Sequence, residues 1–138
     1  MASTSVSRTL PAPPDRVWQL IGGFGSLPDW LPYISSSSLE AGGRRRRLGN
    51  PEGDTIIERL VAFNDVERQY SYAIVEAPFP VTDYISTLRV HPVSGDATVS
   101  EVQWSGRFVP TNASEDEVVA LFTAIYSDGL EALRKALS

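Results

Sequence analysis

Between Tyr33 and Pro110 the apolar residues recur with a period near two, and from Ser114 to Leu137 they recur at helical spacing; this single change of period constrains the chain most. Strand-like runs fall at 33–40, 44–49, 54–63, 67–76, 84–91 and 97–109, separated by Gly, Pro, Asn and Asp. In the last run Val102, Trp104 and Phe108 share one parity while Glu101, Gln103, Ser105 and Arg107 hold the other. One face is therefore buried and the other meets water, as in a one-sided antiparallel sheet. After Pro110, Ser114 and Glu117 form a capping box, and Val118, Phe122, Ile125, Tyr126, Gly129, Leu133 and Leu137 follow on one helical stripe. A long terminal helix must cover the apolar face of the sheet.

The start of the chain adds one more strand and two short helices. Val6 to Leu10 reads as a strand that Pro11, Pro13 and Pro14 stop. A helix follows, because proline is tolerated in a first turn and Asp15 sits at the positive end of its dipole. Val17, Trp18, Ile21 and Phe24 give it a buried face until Gly22, Gly23 and Gly25 end it. Ser26 to Pro32 fits a second short helix bounded by prolines. With 138 residues, 42% of them hydrophobic, the expectation is one α+β domain over residues 1–138.

The formal charge of −5 argues against a sequence-independent hold on nucleic acid, which depends on Lys and Arg neutralising phosphates. The run Arg44 to Arg47 does not alter this, since alternation sends two of the four arginines to each face. With no cysteine and one histidine, His91, there is no disulfide, thiolate nucleophile or Cys- or poly-His-ligated metal site to expect. No cofactor and no metal are expected. His91 shares the outward parity of Ile85, Thr87 and Arg89, which takes the commonest general base away from the interior. There is no basic, apolar leader pattern and no apolar run of about 18 residues, so the chain is expected to be soluble and cytoplasmic, without membrane insertion.

Several stretches carry a resemblance over nearly the whole chain. They are Ala12 to Trp18, Leu27 to Pro32, Glu58-Arg59-Leu60, Tyr84-Ile85-Ser86, Val102-Gln103-Trp104, Phe108-Val109-Pro110 and Gly129-Leu130. In this order they resemble the START-like (SRPBCC) superfamily, which includes polyketide cyclase/dehydrase-type proteins, birch-pollen-allergen relatives and plant abscisic-acid receptors. The resemblance implies a helix-grip fold: a seven-stranded curved antiparallel sheet and two short helices that, with the long C-terminal helix, enclose a cavity for a hydrophobic small molecule. It also implies that Glu58, which matches a glutamate facing ligand in the hormone-receptor relatives, points inward.

The residues themselves agree with a cavity of about 300–1,000 Å³. Tyr70, Tyr72, Tyr84, Trp104 and Tyr126, apolar in body and polar at one tip, fall on the inward parity with the small Ser35 and Ser86 beside them. Trp30, Ile56, Ile74, Phe108 and Phe122 complete the expected lining. Glu58 shares parity with Ile56 and Leu60, and a hairpin around Pro51 sets Arg44 opposite Glu58 and Arg46 opposite Ile56. One of these two arginines is then the internal partner of the carboxylate. Glu76 is a second inward candidate at a strand end. The segments 49–53 and 77–81 are expected at the cavity mouth as gates, with Phe79 between prolines as a plug.

Three functions fit these features. The first is binding, transport or sensing of a hydrophobic small molecule such as a lipid, polyketide or terpenoid, by a monomer or weak homodimer. A second is a cyclase/dehydratase-like lyase in which Glu58 serves as acid or base and Tyr72 or Tyr84 donates or orients a proton. The remaining one is a ligand-gated interaction module using Phe79 and Pro51. The lack of an inward His, Cys or triad places binding above catalysis.

Overall fold

The computed structural model describes residues 1–138. Its strands are β1 (Ala2–Leu10), β2 (Ser36–Glu40), β3 (Arg45–Gly49), β4 (Thr55–Asn64), β5 (Gln69–Glu76), β6 (Val81–Val93) and β7 (Asp96–Pro110). The helices are α1 (Pro14–Ile21), α2 (Leu27–Trp30) and α3 (Glu115–Ala136), and a single 3-10 turn spans Ala41–Gly43. All seven strands form one antiparallel sheet in the order β1-β7-β6-β5-β4-β3-β2. Each strand from β2 to β7 thus neighbours the next in sequence, and β1 crosses over to pair with β7. No helix is long and apolar enough to cross a membrane.

The parity expected for β7 holds: Val102, Trp104 and Phe108 are buried and Glu101 and Arg107 are exposed. Ser114 caps α3 by accepting a hydrogen bond from the Glu117 amide at 3.1 Å, and Val118, Phe122, Tyr126, Gly129, Leu130 and Leu133 form its buried stripe. β2 begins three residues later than expected. The Ile34 amide bonds back to the Leu31 carbonyl, forming a turn, and the Tyr33 hydroxyl reaches the Ile125 carbonyl on α3 at 2.8 Å. Tyr33 therefore fastens α3 instead of extending a strand.

Two glycines let the helix lie close to the sheet. A Cβ on Gly106 of β7 would collide with the Tyr126 hydroxyl, and one on Gly129 of α3 would lie 2.5 Å from Trp104 and 2.8 Å from the Tyr33 hydroxyl. Alanine at a helix interior normally stabilises by about 1 kcal/mol over glycine. At position 129 the overpacking, about 1–3 kcal/mol, reverses that sign. Gly129→Ala is expected to lower the midpoint of urea unfolding; an unchanged or higher midpoint contradicts the tight helix–sheet seam.

Candidate functional site

The most costly group in the interior is Arg46, 1% exposed. Alternation on β3 buries it together with Leu48, while Arg47 between them stays outside and pairs with Glu40. Its Nε donates to Glu58 Oε1 at 2.8 Å, and its Nη2 lies 2.7 Å from the same oxygen in the ion pair. Its Nη1 donates to the Phe24 carbonyl at 3.1 Å and to the Tyr70 hydroxyl at 3.3 Å. The Phe24 ring lies 4.2 Å and the Tyr72 ring 4.8 Å from the guanidinium carbon, so aromatic faces complete the enclosure. Burial works against the cation, but Tyr70, Glu58 and Tyr72 outweigh it and hold Arg46 protonated. For Glu58 burial is the larger influence and raises the carboxyl above the ordinary range, with Arg46 opposing.

Arg46 and Glu58 are Cα partners across β3 and β4. The expected register set Arg44 opposite Glu58 and is corrected here by two residues. The turn is built by Asn50, whose side chain accepts from the Asp54 amide at 2.8 Å, and Gly53 takes a φ of +87° that suits glycine. The hairpin is therefore centred one residue beyond Pro51, and a two-residue change of partner preserves which face each side chain occupies.

Glu58 and Arg46 lie in the wall of a cavity of about 210 Å³ between the sheet, α2 and α3, and 14 of its 18 lining residues are hydrophobic. It is smaller than the expected 300–1,000 Å³ because aromatic rings occupy much of the space. Tyr84 and Phe122 approach to 4.9 Å between ring centroids, Trp104 and Tyr126 to 4.9 Å, and Phe79 and Phe122 to 5.4 Å. Polar tips meet in a hydroxyl cluster opposite: the Tyr84 and Tyr126 hydroxyls bond to each other, and Trp104 Nε1 donates to the Tyr72 and Ser86 hydroxyls at 3.1 Å each. Burial raises Tyr72 and Tyr84 well above the ordinary phenol range and Tyr126 to about 12, so all three remain protonated at neutral pH.

The structure brings Arg46, Ile56, Glu58, Tyr72, Ile74, Phe79, Tyr84, Trp104, Phe122 and Tyr126 together in the cavity wall. Three other expected residues stand behind it: Trp30 packs on Trp104, Phe108 stacks on Tyr84, and Ser86 donates to the Ser105 carbonyl. Ser35 and Arg44 do not reach the cavity. Both are exposed, Ser35 because it precedes β2 and Arg44 because it lies in the turn before β3. Glu76 is likewise exposed at the end of β5. Sequence reasoning left out Leu27, Leu31 and Ile34, whose i, i+4, i+7 spacing was a usable signal, and Leu48, which shares the parity of Arg46. Of the two expected gate segments, the first supplies Asn50 and Glu52 to the lining and the second supplies Phe79, half-buried against Phe122.

The sequence matches the model of the family described as polyketide cyclase / dehydrase and lipid transport over residues 1–138. The chain belongs to that family. It is similar to the protein XoxI from Bacillus cereus, at 57% identity over 99% of this chain and 96% of that one, with a TM-score of 0.96. A protein from Bacillus thuringiensis is 54% identical over 99% of this chain and 98% of that one, also with a TM-score of 0.96. The Zhui aromatase/cyclase from Streptomyces sp. R1128 is 20% identical over 98% of this chain and 90% of that one, with a TM-score of 0.73, and shares the fold. No curated protein matches the sequence.

In this member of the polyketide cyclase/dehydrase and lipid transport family, the ion pair makes the wall both polar and vulnerable. Removing one partner of a buried pair strands the other charge at a cost of about 3–5 kcal/mol, whereas replacing both by apolar groups of similar volume is often neutral. Arg46→Met is expected to lose about 3 kcal/mol in chemical denaturation at neutral pH. The double variant Arg46→Met/Glu58→Met should recover most of that loss. A double-variant loss equal to the sum of the two single-variant losses would show that the two side chains act independently.

Proposed function

We propose that the protein binds a small, mostly apolar molecule of one or two rings in the cavity, with Glu58 as its polar anchor. The observation that carries this reading is a buried carboxylate with one oxygen free of protein partners in a wall that is mostly apolar. A dry apolar cavity of ~150 Å³ accepts a benzene ring. The 210 Å³ here suits a fused pair of rings better than a long acyl chain. Membership of a family described by cyclisation, dehydration and lipid transport supports a ligand of this character. Titration with 2-methylnaphthalene, followed by quenching of tryptophan emission, is expected to saturate at one site. Ile56→Phe/Ile74→Phe fills the cavity from two strands and should abolish that binding while cooperative unfolding persists. Unsaturable quenching, or saturation unaffected by the filled cavity, would refute the reading.

A lyase reading is favoured by one observation, the raised carboxyl of Glu58. Dehydrating a β-hydroxy ketone requires removal of a proton from the α-carbon and a proton for the departing hydroxide, which leaves as water. Glu58 can serve either step, and the protonated hydroxyls of Tyr72 and Tyr84 can act only by donating or orienting a proton, not as the base. Turnover would appear as enone absorbance from a naphthyl β-hydroxy ketone, lost in Glu58→Gln. Saturable binding of that compound without enone leaves binding as the function.

A further inference from the structure

Resting on the binding reading above, we infer that the cavity selects neutral ligands presenting a hydroxyl to the free oxygen of Glu58 and rejects carboxylates, because Arg46 is already consumed by the protein. An arginine in a ligand cavity ordinarily suggests an anionic ligand. Here three of its five N–H groups donate hydrogen bonds, to Glu58 Oε1, the Phe24 carbonyl and the Tyr70 hydroxyl, and Nη2 is held 2.7 Å from Glu58 Oε1 in the ion pair. Its faces are covered by Phe24 and Tyr72, and it is 1% exposed. The cation therefore orients the carboxylate without being offered to a ligand. Its hydrogen bond and its ion-pair contact with Glu58 both fall on Oε1, and Oε2 accepts no hydrogen bond from the protein.

The remaining titratable groups of the cavity do not change this outcome. They are Glu52 at the β3–β4 turn and the chain's five tyrosines: Tyr33, Tyr72, Tyr84 and Tyr126 in the wall, and Tyr70 against Arg46. No free cation lies among them. A hydroxyl both donates and accepts, so it satisfies Oε2 whether or not Glu58 carries a proton. A ligand carboxylate fits beside Glu58 only if the two share one proton. Its binding then takes up a proton once the pH exceeds the titration of Glu58, and its affinity falls toward tenfold per pH unit.

The test compares 2-naphthol, 2-naphthoate and 2-methylnaphthalene, three ligands of one shape, on the full chain from about pH 6 to about pH 8. In the wild type 2-naphthol should bind at least tenfold more tightly than 2-methylnaphthalene with little pH dependence, and 2-naphthoate should weaken steadily as pH rises. Glu58→Gln sharpens the test. Arg46 can only donate, so the amide oxygen must face it and the amide NH₂ must take the place of Oε2. The naphthol-to-naphthoate preference at about pH 8 should then collapse by about a hundredfold. Naphthoate bound by the wild type as tightly as naphthol, or an unchanged preference in the variant, overturns the inference. If 2-methylnaphthalene binds saturably without a naphthol preference, this inference fails and the binding reading stands. If none of the three binds, both fail. The wild-type comparison decides the matter even if the variant does not fold.

Discussion

A guanidinium can remain in an apolar interior only when partners surround it, because desolvating a charge costs more than any single contact returns. Arg46 draws those partners from separate stretches of chain: the loop after α1 through the Phe24 carbonyl, β4 through Glu58, and β5 through Tyr70 and Tyr72. The requirement to satisfy one side chain thus fixes where the α1–α2 segment sits on the sheet. It also determines the character of the cavity, since the group left facing the open space is the acceptor end of the pair. The remaining lining follows from packing against that fixed point.

The aromatic residues set the size of the cavity as the ion pair sets its polarity. Tyr84, Phe108 and Phe122 form a mutually packed block, Tyr84 stacked on Phe108 and Phe122 tilted against both, with Tyr126 joining it to Trp104. Large rings bury much apolar surface with few rotatable bonds, so they stiffen the wall they fill. Their polar tips are satisfied by one another, which confines the unmet hydrogen-bonding capacity to few atoms. The fold shared with the Zhui aromatase/cyclase at 20% identity leaves such details free to vary.

Local pattern made the strands, the buried parity of β7, the capping of α3 and the inward direction of Glu58 legible in the sequence. Non-local geometry hid the rest. The register of β3 on β4 depends on a side-chain bond of Asn50 within the turn, and composition alone favoured Pro51 as the centre. β4 also carries irregularities against β5 near Ile57/Glu58 and Leu60/Ala62, so Ile56, Ile57 and Glu58 are buried consecutively. Simple alternation forbids that and a bulge permits it. The bond from Arg46 to the Phe24 carbonyl joins positions whose proximity no periodicity reports. Strand parity extended into segments that are not strands points Ser35 and Arg44 inward, where neither lies.

The pairing of β1 with β7 bears on how the chain reaches this state. Ala2 lies opposite Phe108 and Leu10 opposite Ser100, and the other flank of β1 meets α3, where the Thr4 and Thr123 hydroxyls and the Arg8 and Glu131 side chains join. The first strand therefore has no partner until almost the whole chain has been synthesised. While it waits, the meander from β2 to β7 can zip through neighbouring hairpins, leaving closure of the most distant contacts to the end. Contacts of such long sequence separation slow folding, because the entropy of closing the loop is lost before the contact returns anything. On the ribosome, β1 emerges well ahead of its partner β7 and can pair only once β7 has followed.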